Sequence, residues 1–423
     1  MITPQHSSGN DDQTVVAVSP VPDISPVDTE SPRVSLYSEE FAADPHGVYA
    51  RMRAQFGPLA RIELAPGVPA TLVLGHREAL RILNDPEHFP VDPRGWQHKV
   101  PGDSPILPLM QWYPNALRSD GDEHQRYRQA YVASIDGIDL YKLQSMVEQL
   151  AIPLINNFCE NGSAELIGQY TFPLVFDVVN HVLGCPRELG QRVATGTALL
   201  FDTAEAAKGM EMLVTALLEL IQLRRDDPGD DVTSRMVQHG AGFTDEEMMS
   251  QLVCLYGASI EPQQNLINNT LLAMLTDERS GGILGGALST QEAIEEVLFN
   301  DPPVANFCTT YPKQPILIDN QWLPAHEPIL VSLAGCNHDP ALGGTDRNGN
   351  RAHLSWGAGQ HSCPARSVAY VVAREAIDHL LDALPEMSLA EPLAQMSWRP
   401  GPFHRALAAL PVTFPKSPRL PVR

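Results

Sequence analysis

Residues 356–365 read Trp-Gly-Ala-Gly-Gln-His-Ser-Cys-Pro-Ala, and this stretch decides how the rest of the chain is interpreted. Gly357 and Gly359 permit a tight turn and a close approach of the backbone to a bulky neighbour. Pro364 suits the first position of a helix, so Cys363 is expected at a helix N-terminus, where a thiolate is stabilised. A thiolate is an axial ligand of haem iron. Cys363 is therefore a candidate iron ligand, with a glycine turn around a structural cysteine as the alternative.

The same residues resemble the signature of the cytochrome P450 family, which runs Phe-Gly-x-Gly-x-His/Arg-x-Cys-x-Gly. Trp356 replaces the phenylalanine and Ala365 replaces the final glycine. The resemblance implies that Cys363 binds the iron of haem b and that Gly357 and Gly359 shape the loop around this cofactor.

A second segment, residues 120–128, resembles the helix motif Asp-x-x-x-His-x-x-x-Arg of the same family. His124 and Arg128 are four residues apart and therefore share one helix face. Two cationic donors on one face suit the propionate groups of haem. His361, two residues before Cys363, is expected to meet a carboxylate on the rim of the same ligand. These side chains are predicted to bind the cofactor, with a solvated helix surface as the alternative for residues 120–128.

Hydrophobic periodicity predicts a mainly α chain with a small amount of sheet. Residues 337–340, Asn-His-Asp-Pro, resemble the family's Asn-Arg-Asp-Pro, and the whole resemblance spans residues 37–414. It implies the cytochrome P450 fold, in which a small β lobe lies near the N-terminus. Residues 1–32 are predicted to form a disordered tail, and residues 33–423 a single haem-thiolate domain. Strand-like runs at 61–64, 71–74 and within 315–333 accompany predicted helices at 76–84, 141–158, 193–201, 204–223, 245–275 and 364–384, with a glycine-rich loop at 281–286.

Composition limits the possible partners and compartments. The chain has 423 residues, of which 43% are hydrophobic, enough for a sizeable core. Its formal charge of −22 argues against nucleic acid as a partner, because a phosphate backbone demands a basic face. No apolar run reaches the roughly 20 residues that a membrane span needs, and no signal-peptide pattern begins the chain. We therefore expect a cytoplasmic protein without stable membrane insertion.

The predicted central helix departs from the family at the position that normally serves oxygen chemistry. The family pattern is Ala-Gly-x-Asp/Glu-Thr, and this chain keeps the acid as Glu261 but has Pro262 in place of the threonine. The threonine hydroxyl of the family helps to deliver protons to dioxygen, and proline has no hydroxyl. Proline also removes one helical hydrogen bond, so a kink is expected beside the haem. Glu261 is the predicted water- or proton-handling residue.

Two further departures concern arginines that the family conserves. The Glu-x-x-Arg motif reads Glu296-Val-Leu-Phe299, so its arginine is missing. A buried glutamate that loses its partner is costly, and Arg347 or Arg351 is the predicted replacement. Thr310 stands approximately where a strand arginine usually reaches a haem propionate. Because a small branch of the family lacks the motif and still takes up haem, the loss does not exclude the cofactor.

The resemblance implies a haem-thiolate monooxygenase that inserts one oxygen atom of dioxygen into a small organic molecule. A separate ferredoxin and ferredoxin reductase are the expected electron donors, because the chain has no flavin or nicotinamide motif. Two alternatives stay open: a peroxide-dependent or other non-monooxygenase haem enzyme, and a catalytically degenerate haem-binding scaffold. The substrate pocket is expected to be lined by residues 94–115 and 255–260.

Overall fold

The computed structural model describes residues 32–199, 206–276, 289–342 and 351–422. The predictions made for the first 31 residues, for the glycine-rich stretch 281–286 and for Arg347 lie outside these ranges. No helix among the described residues is long and apolar enough to cross a membrane.

Helices dominate the described chain, as the periodicity predicts. The boundaries of the long predicted helices agree with the structure to within a few residues, except that the helix predicted at 193 begins at Arg187. In chain order the helices are α1 (Glu39–Ala43), α2 (Pro45–Phe56), α3 (His76–Leu83), α4 (Leu107–Met110), α5 (Gly121–Asp136), α6 (Leu140–Asn156), α7 (Phe172–Val182), α8 (Arg187–Leu199), α9 (Ala206–Asp226), α10 (Val232–Gln238), α11 (Asp245–Thr276), α12 (Thr290–Asn300), α13 (Leu333–Asn337) and α14 (Arg366–Ala383).

Short strands form the minor β component. The main sheet has the order β1-β2-β3-β8-β5, and two small sheets have the orders β4-β10-β9 and β6-β7. The strands are β1 (Val34–Ser35), β2 (Leu59–Ala65), β3 (Val68–Val73), β4 (Ser163–Glu165), β5 (Asn306–Thr310), β6 (Ile316–Ile318), β7 (Gln321–Leu323), β8 (Ile329–Ser332), β9 (Ser388–Leu389) and β10 (Pro411–Thr413).

The main sheet joins the start of the chain to its later part. Strands β2 and β3 form the predicted hairpin, with Leu59 opposite Val73, and Gly67 in the turn has a φ of +73°. Strand β3 then pairs in parallel with β8, which places Thr71 beside Ile329. Strand β5 closes the sheet by antiparallel pairing with β8. The sheet therefore carries β5 to the side of the molecule where the cysteine loop lies.

The long helix α11 has a favourable first turn and is fastened there to α5. Its first turn contains three acidic residues, which suit the positive end of the helix dipole. Among them, Glu247 accepts hydrogen bonds from Arg126 and from Tyr127, the latter at 2.9 Å, and so ties α11 to α5. Further along, the helix continues through Pro262 without interruption, although this residue supplies no amide hydrogen.

Candidate haem site

The cysteine loop, residues 356–363, is shaped by two glycines with left-handed backbone conformations. Gly357 and Gly359 have φ values of +67° and +68°, which side chains rarely allow. A Cβ atom on Gly359 would overlap the carbonyl oxygen of Leu83 at the end of α3, and one on Gly357 would lie 3.4 Å from the Cys308 sulphur. The expected tight turn is thus present, and the close approach at Gly359 is to the α3 backbone.

Cys363 ends this loop and does not lie in the helix that follows. Its amide donates to the Trp356 carbonyl at 2.8 Å, which closes the loop on itself. Helix α14 begins at Arg366, so the prediction that Pro364 is its first residue was wrong. Burial raises the pKa of the Cys363 thiol, whereas the Ala365 amide and the Arg128 charge act in the opposite direction.

The thiol of Cys363 is accessible and is also closely surrounded by protein atoms. Its side chain is exposed, yet it lies deep enough among protein atoms for burial to raise its pKa. Such a setting suits a residue in the wall of a ligand site. The exposed residues Val253, Gly257 and Glu261, spaced four apart, give the central helix α11 one open stripe as well. A helix in the middle of a fold has such a stripe when it borders a cavity.

Helix α5 brings His124 and Arg128 to the cysteine loop, as the motif predicts. The His124 and His361 rings lie 4.1 Å apart between centroids, and Arg128 donates a hydrogen bond to the Ser362 carbonyl. Burial, together with His361 and Arg128, lowers the pKa of His124 to about 4. This lowered pKa favours the neutral form of His124, which leaves Arg128 as the cation of the pair.

The polar atoms around these histidines fit an anionic ligand group. His124 Nε2 is buried and has no hydrogen-bond partner among the described residues. His361 Nε2 is hydrogen bonded to Nε2 of Gln360 at 3.2 Å and lies 3.8 Å from an oxygen of Asp120. Arg128 adds a permanent positive charge at the same place. An unsatisfied buried imidazole nitrogen, with a second histidine and a cation beside it, suits the propionate groups of haem, so these residues fit the cofactor that the sequence implies.

The segment predicted to line the substrate pocket lies against α11. Gln251 donates to the Pro114 carbonyl at 2.9 Å, and Asn115 donates to Ser250 at 3.3 Å. These contacts join the end of the segment 94–115 to α11 at residues 250–251, a little more than one helical turn before the predicted lining segment 255–260.

Comparisons with known proteins agree with this geometry. PikC, a cytochrome P450 monooxygenase of Streptomyces venezuelae, is 29% identical to this chain, over 91% of this chain and 95% of PikC. The vitamin D(3) 25-hydroxylase of Pseudonocardia autotrophica is 26% identical, over 90% and 96% of the two chains. The structure of testerone-bound CYP154C4 from a Streptomyces species superposes with a TM-score of 0.82 at 25% identity, over 92% and 99%. No family model matches the chain.

The chain belongs to the cytochrome P450 family. The expected fold, mainly α with a small β component, is confirmed by the architecture and by this structural likeness. Members of this family carry haem b, so haem b is the cofactor of this protein, which is an oxidoreductase. Because the alignments run along nearly the whole chain, the resemblance is to a complete P450 domain.

The acid on α12 that faces the protein interior is not the one named from the motif. Glu296 is exposed, so the expected cost of burying it without an arginine does not arise in this P450. Arg351, one of the predicted replacements, pairs with the neighbouring Glu295 at 3.5 Å. The Glu295 side chain is only 13% exposed. Arg351 thus contacts the acid that directly precedes the glutamate of the motif.

Thr310 lies at the end of β5, on the side of the sheet where a propionate-binding arginine was expected. Its hydroxyl is buried and has no hydrogen-bond partner among the described residues, and the same is true of Thr309. The preceding residue, Cys308, has a φ of +52° and lies beside Gly357 of the cysteine loop. Strand β5 thus reaches the site but offers hydroxyl and thiol groups in place of a cation.

Sequence reasoning missed the partner of Glu261. Arg399, which lies 138 residues further along the chain, donates a hydrogen bond to this carboxylate. His404 lies close enough for Glu261 to raise its pKa, although burial lowers the pKa overall. No motif or spacing connects residues this far apart, so the sequence carried no signal for the pair.

Proposed function

We propose that this P450 is a haem-thiolate monooxygenase with Cys363 as the axial ligand of the iron. When bound, haem b supplies the redox-active iron at which dioxygen is activated. One oxygen atom enters a small organic substrate and the other leaves as water, which consumes two electrons and two protons. The observation that carries the proposal is the accessible Cys363 thiol in a loop that Arg128, His124 and His361 join to α5.

The side chains near Cys363 have separate tasks in this proposal. Arg128 and His361, with the neutral His124 as a donor, hold the propionate groups. The left-handed conformations of Gly357 and Gly359 let the loop pack closely on α3 and β5, which sets the position from which Cys363 is presented. This division leaves Cys363 free to bind the metal.

A ferredoxin and its reductase are the proposed electron donors. The chain carries no recognisable flavin or nicotinamide motif, so electrons must come from another protein. The named relatives include monooxygenases and hydroxylases whose lengths this chain matches almost fully, which supports the same division of labour.

The substrate is proposed to be a bulky apolar molecule. Leu109 and Tyr113, in the segment held against α11, are 60% and 36% exposed, and Val253 on the α11 stripe is 43% exposed. Large apolar side chains that border a cavity favour apolar ligands. Vitamin D(3) and testerone appear in the names of a relative and of a structural neighbour, which supports a ligand of this size.

Glu261 is the proposed proton-handling group on α11. Its carboxylate is held by Arg399, and the adjacent Pro262 offers no hydroxyl to pass a proton onward. We expect inefficient use of electrons, in which much of the reductant consumed yields hydrogen peroxide or water in place of product. A substrate for this test is a bulky apolar compound that shifts the Soret band. With it, the amount of product formed per reductant oxidised is compared among the wild type, Pro262→Thr and the matched control Pro262→Ala. Tight coupling in the wild type would contradict this assignment.

Pro262 also favours the peroxide-dependent alternative, because peroxide brings its own protons and both oxygen atoms. The two functions differ in one measurement: turnover of the same compound with hydrogen peroxide alone, or with a surrogate ferredoxin, reductase and dioxygen. Faster turnover with dioxygen supports the monooxygenase, and turnover with peroxide alone supports the alternative.

The cofactor assignment has its own test. The reduced carbon monoxide difference spectrum of the purified wild type should show thiolate ligation, and Cys363→Ser should abolish that band. Cys308→Ser is the matched control, since this cysteine lies beside the same loop and is not the proposed ligand. A thiolate spectrum that survives in Cys363→Ser would refute the assignment.

A further inference from the structure

Glu295 on α12 is contacted from both sides of the cysteine loop. Tyr370, in the second turn of α14, donates its hydroxyl to Oε1 of Glu295 at 2.7 Å. Arg351, from the segment before the loop, lies 3.5 Å from the same oxygen. His353 Nε2 lies 3.5 Å from Oε2, and its side chain is 1% exposed. One carboxylate therefore joins α12, the segment that enters the loop and the helix that leaves it.

A short path of contacts leads from this carboxylate to the proposed iron ligand. The Tyr370 ring lies 5.7 Å from the Trp356 ring, at an interplanar angle of 41°. The carbonyl of Trp356 in turn accepts the Cys363 amide at 2.8 Å. The Arg366 guanidinium covers the Tyr370 ring at 5.7 Å. A shift of Tyr370 would therefore be expected to move the backbone that carries Cys363.

The two arginine positions that this chain has changed lie next to each other. Phe299, in place of the Glu-x-x-Arg arginine, has its ring 6.2 Å from that of His338, which replaces the arginine of Asn-Arg-Asp-Pro. The Phe299 ring also lies 6.4 Å from His353. Edge-to-face rings at such distances attract each other. Packing between aromatic rings therefore takes the place of the two arginines of the family motifs. Glu295 lies four residues before Phe299 and so shares its helix face.

We propose that Glu295 is the positioning residue of the cysteine loop and acts through Tyr370 and Trp356. Glu296, which the motif would name, does not have this role. This role of Glu295 rests on the proposed function, because it concerns how the proposed iron ligand Cys363 is held in position. A buried carboxylate that accepts a hydroxyl hydrogen bond and faces a guanidinium fixes its partners more firmly than an exposed one. The missing arginine is thereby replaced by groups that lie on either side of the loop.

The test compares Glu295→Gln with the matched control Glu296→Gln, in the full-length holoprotein. Haem loss to an apomyoglobin acceptor, and the fraction of thiolate-ligated ferrous carbon monoxide complex, are measured for each. We expect Glu295→Gln and Tyr370→Phe each to accelerate haem loss about tenfold or more, with a rise in the thiol-ligated form. Glu296→Gln should stay within about twofold of the wild type. A merely structural role would lower stability without changing which form of the sulphur binds the iron.

A double-mutant cycle and hydrogen exchange complete the design. Because Glu295 and Tyr370 lie on one path, the combined variant should lose less than the sum of the two single effects, whereas Glu296→Gln with Tyr370→Phe should be additive. Wild-type behaviour in both Glu295→Gln and Tyr370→Phe would overturn the proposal, as would a larger effect of Glu296→Gln. If the wild type itself binds no haem, the proposed function fails. In that case amide exchange still tests the role of Glu295. Residues 353–365 should exchange faster in Glu295→Gln than in Glu296→Gln, and equal rates would overturn the proposal.

Discussion

The Glu247 carboxylate offers a quantitative test of how α11 is fastened to α5, the helix that carries His124 and Arg128. Burial pushes the pKa of Glu247 up, but hydrogen bonds from Arg126, Thr244 and Tyr127 outweigh it and lower the pKa from 4.5 to about 2. One pKa unit corresponds to about 1.4 kcal/mol, so this shift sets a ceiling of roughly 3 kcal/mol. The Arg126 side chain is 36% exposed, and solvent screening reduces the expected contribution to roughly 1–2 kcal/mol.

Glu247→Gln is therefore expected to lower the free energy of unfolding by roughly 1–2 kcal/mol at pH 7. Since the pKa in the folded state lies below that of the unfolded chain, the contribution is complete above about pH 4.5 and is lost as the pH falls towards 2. The stability gap between the wild type and the variant should stay constant from about pH 8 to 5.5 and narrow below that range.

Urea unfolding followed by far-UV circular dichroism, at a series of pH values, measures this gap. Glu246→Gln is the matched control, because it removes a charge from the same first turn of α11 at an exposed position. Equal stability of the wild type and Glu247→Gln at pH 7, or a gap that widens as the pH falls, would refute the reasoning.

Two further substitutions test the packing around the site. Gly359→Ala should destabilise the fold by at least about 2 kcal/mol and impair haem retention, because its φ is +68° and its Cβ would overlap the Leu83 carbonyl. Gly102→Ala, where a Cβ meets nothing within 4 Å, should be close to neutral in the same unfolding assay. Tyr170→Phe should lower the free energy of unfolding by about 1–2 kcal/mol, because the Tyr170 hydroxyl donates to the buried Ala376 carbonyl at 2.6 Å. An unchanged urea midpoint in this variant would contradict the importance of the bond.

The sequence predicted those features that depend on local spacing. The loop at 356–363, the helix face shared by His124 and Arg128, and the hairpin of β2 and β3 all follow from residues close together in the chain. Glycines fix a turn wherever it occurs, and a four-residue interval fixes a shared helix face. Local rules of this kind hold whatever surrounds them.

The features that the sequence did not predict depend on tertiary contacts. Whether Glu295 or Glu296 faces inward depends on the rotation of α12 against its neighbours, and two adjacent acids leave that rotation ambiguous. The charge of His124 depends on burial and on His361, which no composition rule supplies. The start of α14 at Arg366 depends on the backbone of the loop, because Pro364 fits an extended segment as well as a first helical turn.

The cysteine loop is held by parts of the chain that are synthesised far apart. Arg128 reaches a carbonyl 234 residues further along, and Gly359 and Gly357 rest on α3 and β5. Contacts of such sequence separation form late, since loop-closure entropy must be overcome first. The loop that carries Cys363, the proposed iron ligand, is therefore expected to take its final shape only after α3, α5 and β5 have assembled around it. Haem added during refolding should then gain its thiolate spectrum no earlier than the tertiary structure forms.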